Sequence, residues 1–161
     1  MEEVIDKIIS DLGEMALLEY DDGGFLEDLP LVTIFFGDPG LIPVSDFPCA
    51  YVEPILDDPE QRTTGTDRRS FTIDVSLLID VRDHDTDEDD ESFGSRALVR
   101  ASYQLRKWYE KRSNLTLEGL AGVNDVSVRE TRFVRAKRGT IWAKEAVTTL
   151  VIRKTSNRVL D

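Results

Sequence analysis

The sequence predicts an α+β fold, a two-layer sandwich in which about five strands form one mixed or antiparallel sheet and two helices lie on one face of it. The expected order is α-β-β-β-α-β-β. Three observations carry this. Phe71, Ile73, Val75, Leu77, Ile79 and Val81 are apolar at every odd position, while Thr72, Asp74, Ser76 and Asp80 are polar at even ones, with Leu78 the exception; period two is a strand with one face in the core. Two segments, one at the start and one after residue 91, carry apolar side chains at helical spacing instead. Two long runs rich in Val, Ile, Thr, Phe and Trp then follow each other across a glycine turn, and strands before and after a helix fold most simply into one sheet with the helices packed on it.

The first helix places Ile5, Ile8, Ile9, Leu12, Met15 and Ala16 on one stripe, with Glu2, Glu3 and Asp6 in the first turn, where the helix dipole favours negative charge. The polar connection EYDDGGFLEDLP leads to LVTIFF (31–36), a buried strand stopped by the turn FGDPG. CAYVEPIL (49–56) is a second strand, and Pro54 lacks a donor, which puts that end at a sheet edge or a bulge. Residues 57–70 are turn formers and charges with no apolar period and read as a long loop before the third strand. From Ser92 the stripe Ala97, Leu98, Ala101, Leu105 and Trp108 marks the second helix, ending near Ser113 and Asn114. Residues 123–136 and 140–154 make a hairpin around Gly139, leaving a short tail at 155–161. The whole chain, residues 1–161, reads as one domain, long enough for a core without staples.

Composition narrows the function. A single cysteine, Cys49, and a single histidine, His84, exclude a disulfide within the chain and a structural zinc site of the usual ligands. No apolar run approaches the roughly 18 residues of a membrane span, and the start is acidic where a secretory signal is basic, so a soluble protein made in a cytoplasm is expected. Net charge is −12, of which DHDTDEDDE (83–91) supplies −7. Phosphate would repel such a chain unless its basic groups share one face. Only six lysines against 19 aspartates suits concentrated salt, where carboxylate-coated surfaces stay hydrated and their repulsion is screened; a halophilic origin is the expectation.

The acidic stretch invites a calcium-loop reading, because Asp85, Asp87 and Asp89 repeat the spacing of oxygen ligands. Starting at Asp85, the sixth position should be glycine and is Asp90, and the twelfth should be Glu and is Arg96; starting at Asp83, those places hold Glu88 and Gly94. Both registers fail. A metal-dependent module using Asp80, Asp83, Asp85 and Asp87 stands as the lesser alternative. Asp74, Ser76 and Asp80 read as the solvated face of their strand, or as an extension of such a site. No nucleophile elbow, phosphate-binding glycine pattern or carboxylate-x-lysine spacing occurs, so neither an enzyme nor a cofactor is expected.

The segments EEVIDKIISDL, TIFFGDPG, CAYVEPIL, RTTGTDRRS running into SFTIDVSLLIDV, and then a helix and a final hairpin, together resemble the tail terminator (tail completion) proteins of long-tailed double-stranded DNA viruses. The resemblance covers about residues 1–154 and is one of layout. It implies a structural virion subunit, made in the host cytoplasm, whose homohexameric ring caps the head-proximal end of the tail tube, ends its polymerisation and joins the tail to the head. Its implied partners are further copies of itself, the tail tube protein and a head–tail connector or neck protein; DNA passes through without specific binding, and no membrane is involved. Another neck or assembly protein of a tailed virus is the nearest alternative. In a head-to-tail ring each subunit offers two different patches, and charge placement nominates Arg68, Arg69, Arg96, Arg100 and Lys107 as interface residues. The acidic residues Asp83, Asp85, Asp87, Glu88, Asp89, Asp90 and Glu91 depart from the family pattern. They form a loop that faces the channel, where negative charge keeps DNA from sticking, meets a neighbour's arginines, or lies in solvent.

Overall fold

A computed structural model of the chain describes residues 1–25, 28–62, 66–80, 91–111, 117 and 120–157. Its elements are α1 (Glu2–Met15), β1 (Thr33–Phe36), β2 (Cys49–Arg62), β3 (Thr66–Asp80), α2 (Glu91–Glu110), β4 (Val123–Arg138) and β5 (Ile141–Asn157). The expected order holds, and the five strands form a mixed sheet ordered β1-β2-β3-β5-β4, with β1 parallel to β2 and every other pair antiparallel.

Both helices lie on one face. Val4, Ile5, Ile8, Leu12 and Met15 of α1 join Leu98, Ala101, Leu105 and Trp108 of α2 in a single core with Phe71, Ile73, Val75, Leu77 and Ile79 of β3. The odd residues of β3 thus do what their alternation predicts. Leu78, the exception to that alternation, belongs to a smaller cluster on the opposite face with Cys49, Tyr51, Ile141 and Ala143, covered by Ile42 and Phe47 from the β1–β2 connection. Asp11, buried in the helical layer, accepts hydrogen bonds from Lys7 at 2.6 Å and from the Tyr109 hydroxyl at 3.2 Å, tying α1 to α2.

Several boundaries differ from expectation. Residues 57–70 are not a long loop: 57–62 continue β2 and 66–70 belong to β3, which pairs there with the end of β5 from Arg68↔Thr155 to Ser70↔Arg153. Residues 54–59 are exposed, so their composition matches a loop while ladder hydrogen bonds hold the backbone extended. The tail is shorter than expected for the same reason, since residues 155–157 are the last rungs of β5. Pro54 fits both of its predicted roles. β1 reaches only as far as Val52 along β2, and a register shift falls between Pro54 and Leu56. Glu91 opens α2 instead of closing a loop; residues 83–90 lie outside the described residues.

Two glycines separate packing from helix propensity. A Cβ on Gly24 would stand 2.2 Å from the Leu18 carbonyl oxygen and 2.5 Å from that of Met15, against backbone that cannot yield, whereas one on Gly13 of α1 would meet nothing within 4 Å. Gly24→Ala is therefore expected to destabilise by about 1–3 kcal/mol, and Gly13→Ala to stabilise by about 0.5–1 kcal/mol. Urea unfolding midpoints of the two variants check the opposite signs.

Candidate functional site

The strongest cluster of polar side chains lies on the sheet face away from the helices. Alternation assigned Asp74, Ser76 and Asp80 to solvent; all three are buried. The reason is lateral, because β3 is the central strand and its neighbours' side chains close over the even positions. Asp74 accepts from the Thr149 hydroxyl of β5 at 2.6 Å and from the Arg132 guanidinium of β4 at 2.9 Å. Glu145, Thr149 and Tyr51 are buried beside them.

One guanidinium organises the end of this face. Arg138, the last residue of β4, donates to both Asp38 carboxylate oxygens at 2.7 and 2.6 Å, to Glu145 at 3.0 Å and to the Tyr51 hydroxyl at 3.1 Å. The Tyr51 hydroxyl donates in turn to Glu145 at 2.5 Å. Asp38 belongs to the turn FGDPG, where it also accepts from the Gly40 amide at 2.8 Å; Gly37 and Gly40 supply the left-handed φ values of 75° and 68° that bend the chain back. That turn reads in sequence as a plain connection. It is the anchor that binds the β1–β2 connection to the tip of the β4–β5 hairpin. The missed signal is weak, because Asp38 and Arg138 are 100 residues apart.

Electrostatics follow from this burial. Burial and the Glu145 carboxylate push the Tyr51 hydroxyl up to about 12, so it remains a donor. Burial, with Asp46 nearby, pushes the Cys49 thiol up to about 12, which makes it a poor nucleophile. Desolvation pulls Arg138 down, but its bonds to Asp38 and Glu145 outweigh that and its pKa is raised. Burial acts to raise the Asp38 carboxyl; the Arg138 bonds, the Gly40 amide and the positive charge outweigh it and hold the pKa below the usual aspartate value.

The nominated interface residues fall on two elements. Arg68 and Arg69 lie at the exposed end of β3, and Arg69 pairs with Asp57 at 3.5 Å. On α2, Arg96 is exposed, Arg100 pairs with Asp28 at 3.2 Å and covers the Tyr20 ring at 4.3 Å, and Lys107 lies 5.0 Å from the Tyr103 ring. Lys107 also lines a cleft of about 320 Å³ with Tyr20, Gln104 and Trp108. Arg69 and Arg100 thus each have a partner within the chain, while about half of each side chain stays exposed. Of the acidic run, only Glu91 has a described backbone position. Among the described residues, no group of three or more His, Cys, Asp or Glu side chains is placed to hold a metal ion, and no helix is long and apolar enough to cross a membrane.

Sequence reasoning missed the strand that is most basic. From Arg129 to Arg138, β4 holds five basic residues and one acid, Glu130. Arg132 and Arg138 are engaged on the buried face, while Arg129, Arg135 and Lys137 are exposed and make no ion pair with a described residue.

No family model matches the chain, and no curated protein does. Among solved structures the chain is similar to one described as the virion of a native gene transfer agent particle, at 11% identity and a TM-score of 0.35, over 77% of this chain and 80% of that one.

The Arg138 cluster generates a pH prediction. Because the folded pKa of Asp38 lies below its unfolded value near 3.9, its contribution is full above about pH 4 and is lost as pH falls through the folded value. Asp38→Asn should therefore cost about 1–2 kcal/mol at pH 6, and the gap to the parent chain should be smaller at pH 2. Denaturant unfolding at both pH values checks this, and a gap that stays constant contradicts it.

Proposed function

We propose that this chain is a structural virion subunit, a tail terminator whose homohexameric ring caps the head-proximal end of a tail tube, ends tube growth and joins it to a connector or neck protein. In this reading the protein performs no catalysis, and its partners are copies of itself, the tube protein and the connector, with DNA passing through unrecognised. The layout of the sequence suggests the family.

The observation that carries the reading is that both opposite edges of one sheet bare apolar side chains. Ile55 and Leu56 of β2 are each 53% exposed, and Phe133 and Val134 of β4 are 53% and 41% exposed. Successive strand side chains project to opposite faces, so Phe133 stands on the helical face in the row of Ala146 and Leu77 and Val134 on the other in the row of Glu145 and Leu78; an edge that bares apolar side chains on both faces is what a monomer avoids and an edge-on contact uses. Two different patches on opposite sides of a subunit are the requirement for a head-to-tail ring, whereas a two-fold dimer needs only one self-complementary patch.

Native mass spectrometry of the purified chain, with negative-stain imaging of the same sample, tests the reading. Six copies in a ring with a central opening are expected. A strict monomer at high concentration, or a closed two-fold dimer, contradicts it.

A further inference from the structure

Beyond Val52, where β1 ends, the sheet has β2 as one edge and β4 as the other. The two edges carry opposite charge. Residues 53–60 of β2 hold Glu53, Asp57, Asp58 and Glu60 with no basic residue, and Asp57 and Asp58 are exposed beside Ile55 and Leu56. On β4, Arg129, Arg135 and Lys137 are exposed beside Phe133 and Val134. Each edge therefore joins exposed apolar side chains to charges mostly of one sign, with Glu130 the exception on β4, and the prevailing signs are opposite.

We propose that the basic β4 edge of one copy seats on the acidic outer edge of β2 in the next, so that the contact between subunits is a β4-to-β2 junction repeated head to tail. This rests on the self-assembly proposed above and names the surfaces that perform it. The contact uses side chains more than main-chain ladders, because Pro54 and Pro59 remove two donors from the β2 edge and register shifts interrupt it at both places. The apolar pairs supply area, and the charges supply register and exclude β4-to-β4 and β2-to-β2 encounters.

Geometry adds a consequence. Across the ladders, Asp57 stands in the row of Val126 through Phe71 and Ile152, while Phe133 stands in the row of Ala50 through Ala146 and Leu77. The two patches thus occupy diagonal corners, about seven residues or roughly 24 Å apart along the strands and about 14 Å across them. Neighbours joined corner to corner would have strands running closer to the ring's tangent than to its axis. The alternative occupant of the basic strand is nucleic acid. The exposed Phe133 and Val134 favour a protein surface, as does a complementary acidic edge on the same molecule.

Two charge-reversed variants of the full chain test the junction. R129E/R135E turns the exposed arginines of the β4 edge into acids, and D57K/D58K turns the exposed aspartates of the β2 edge into bases; all four positions are exposed, and among the described residues the one ion pair lost is Asp57 to Arg69. Melting temperatures close to that of the parent chain would confirm folding, and D58K alone retains even that pair. At low salt, where surface charge is least screened, each variant alone should lose the assembled species that the parent forms, and a 1:1 mixture should regain it, since each variant's β4 then meets an opposite β2. Either variant assembling alone like the parent, or a mixture that stays monomeric, overturns the junction while leaving the ring intact as a reading. A parent chain that stays monomeric overturns both. A monomeric parent that retains duplex DNA, and loses it in R129E/R135E, overturns the junction in favour of a nucleic-acid contact.

Discussion

The sheet depends on β3 being buried on both faces. Its odd side chains enter the helical core, which needs only apolar surface. Its even ones include two carboxylates and a hydroxyl, and burial makes each of these costly unless its neighbours answer it. Thr149 and Arg132 answer Asp74 from the two strands on one side, and the Arg138, Glu145 and Tyr51 cluster closes the same face nearer the hairpin tip. Removing one member leaves a buried charge without its partner, which is a larger loss than the pair's net contribution. The polar face therefore ties β2, β3, β5 and β4 into one plate in a single register.

That plate explains which charges are available. Arg132 and Arg138 serve the plate, Arg69 and Arg100 serve local pairs, and Lys107 rests on Tyr103. Arg129, Arg135 and Lys137 remain on a strand whose outer side no other strand covers among the described residues. A chain of net charge −12 thus presents a local basic edge, and on the opposite side of the same plate an acidic one. Opposite signs at opposite edges give the subunit a direction, which a ring needs and a two-fold dimer does not.

The helical core was legible in sequence because its signals are local. Helical spacing marked α1 and α2, period two marked the odd positions of β3, and Gly139 marked the hairpin. The polar face was not, because period two assigns polar side chains to water and says nothing about what neighbouring strands place over them. Asp74 finds Arg132 58 residues away and Tyr51 finds Glu145 94 residues away. Residues 57–70 misled for the opposite reason. Their composition reports exposure, whereas the β5 residues that hold β3 extended there come more than 80 positions later. The interface candidates were chosen for charge alone, and charge does not say which of them also pair within the chain, as Arg69 and Arg100 do.

The most direct test of the account is the polarity of the contact between copies. In a background lacking the buried Cys49, Arg135→Cys and Asp58→Cys variants are made separately, mixed, and treated with a short bismaleimide crosslinker. The account predicts a crosslink between position 135 of one copy and position 58 of another, with little joining of 135 to 135 or of 58 to 58. Dominant 135-to-135 crosslinks would mean that the β4 edges meet each other across a two-fold axis, and would contradict it.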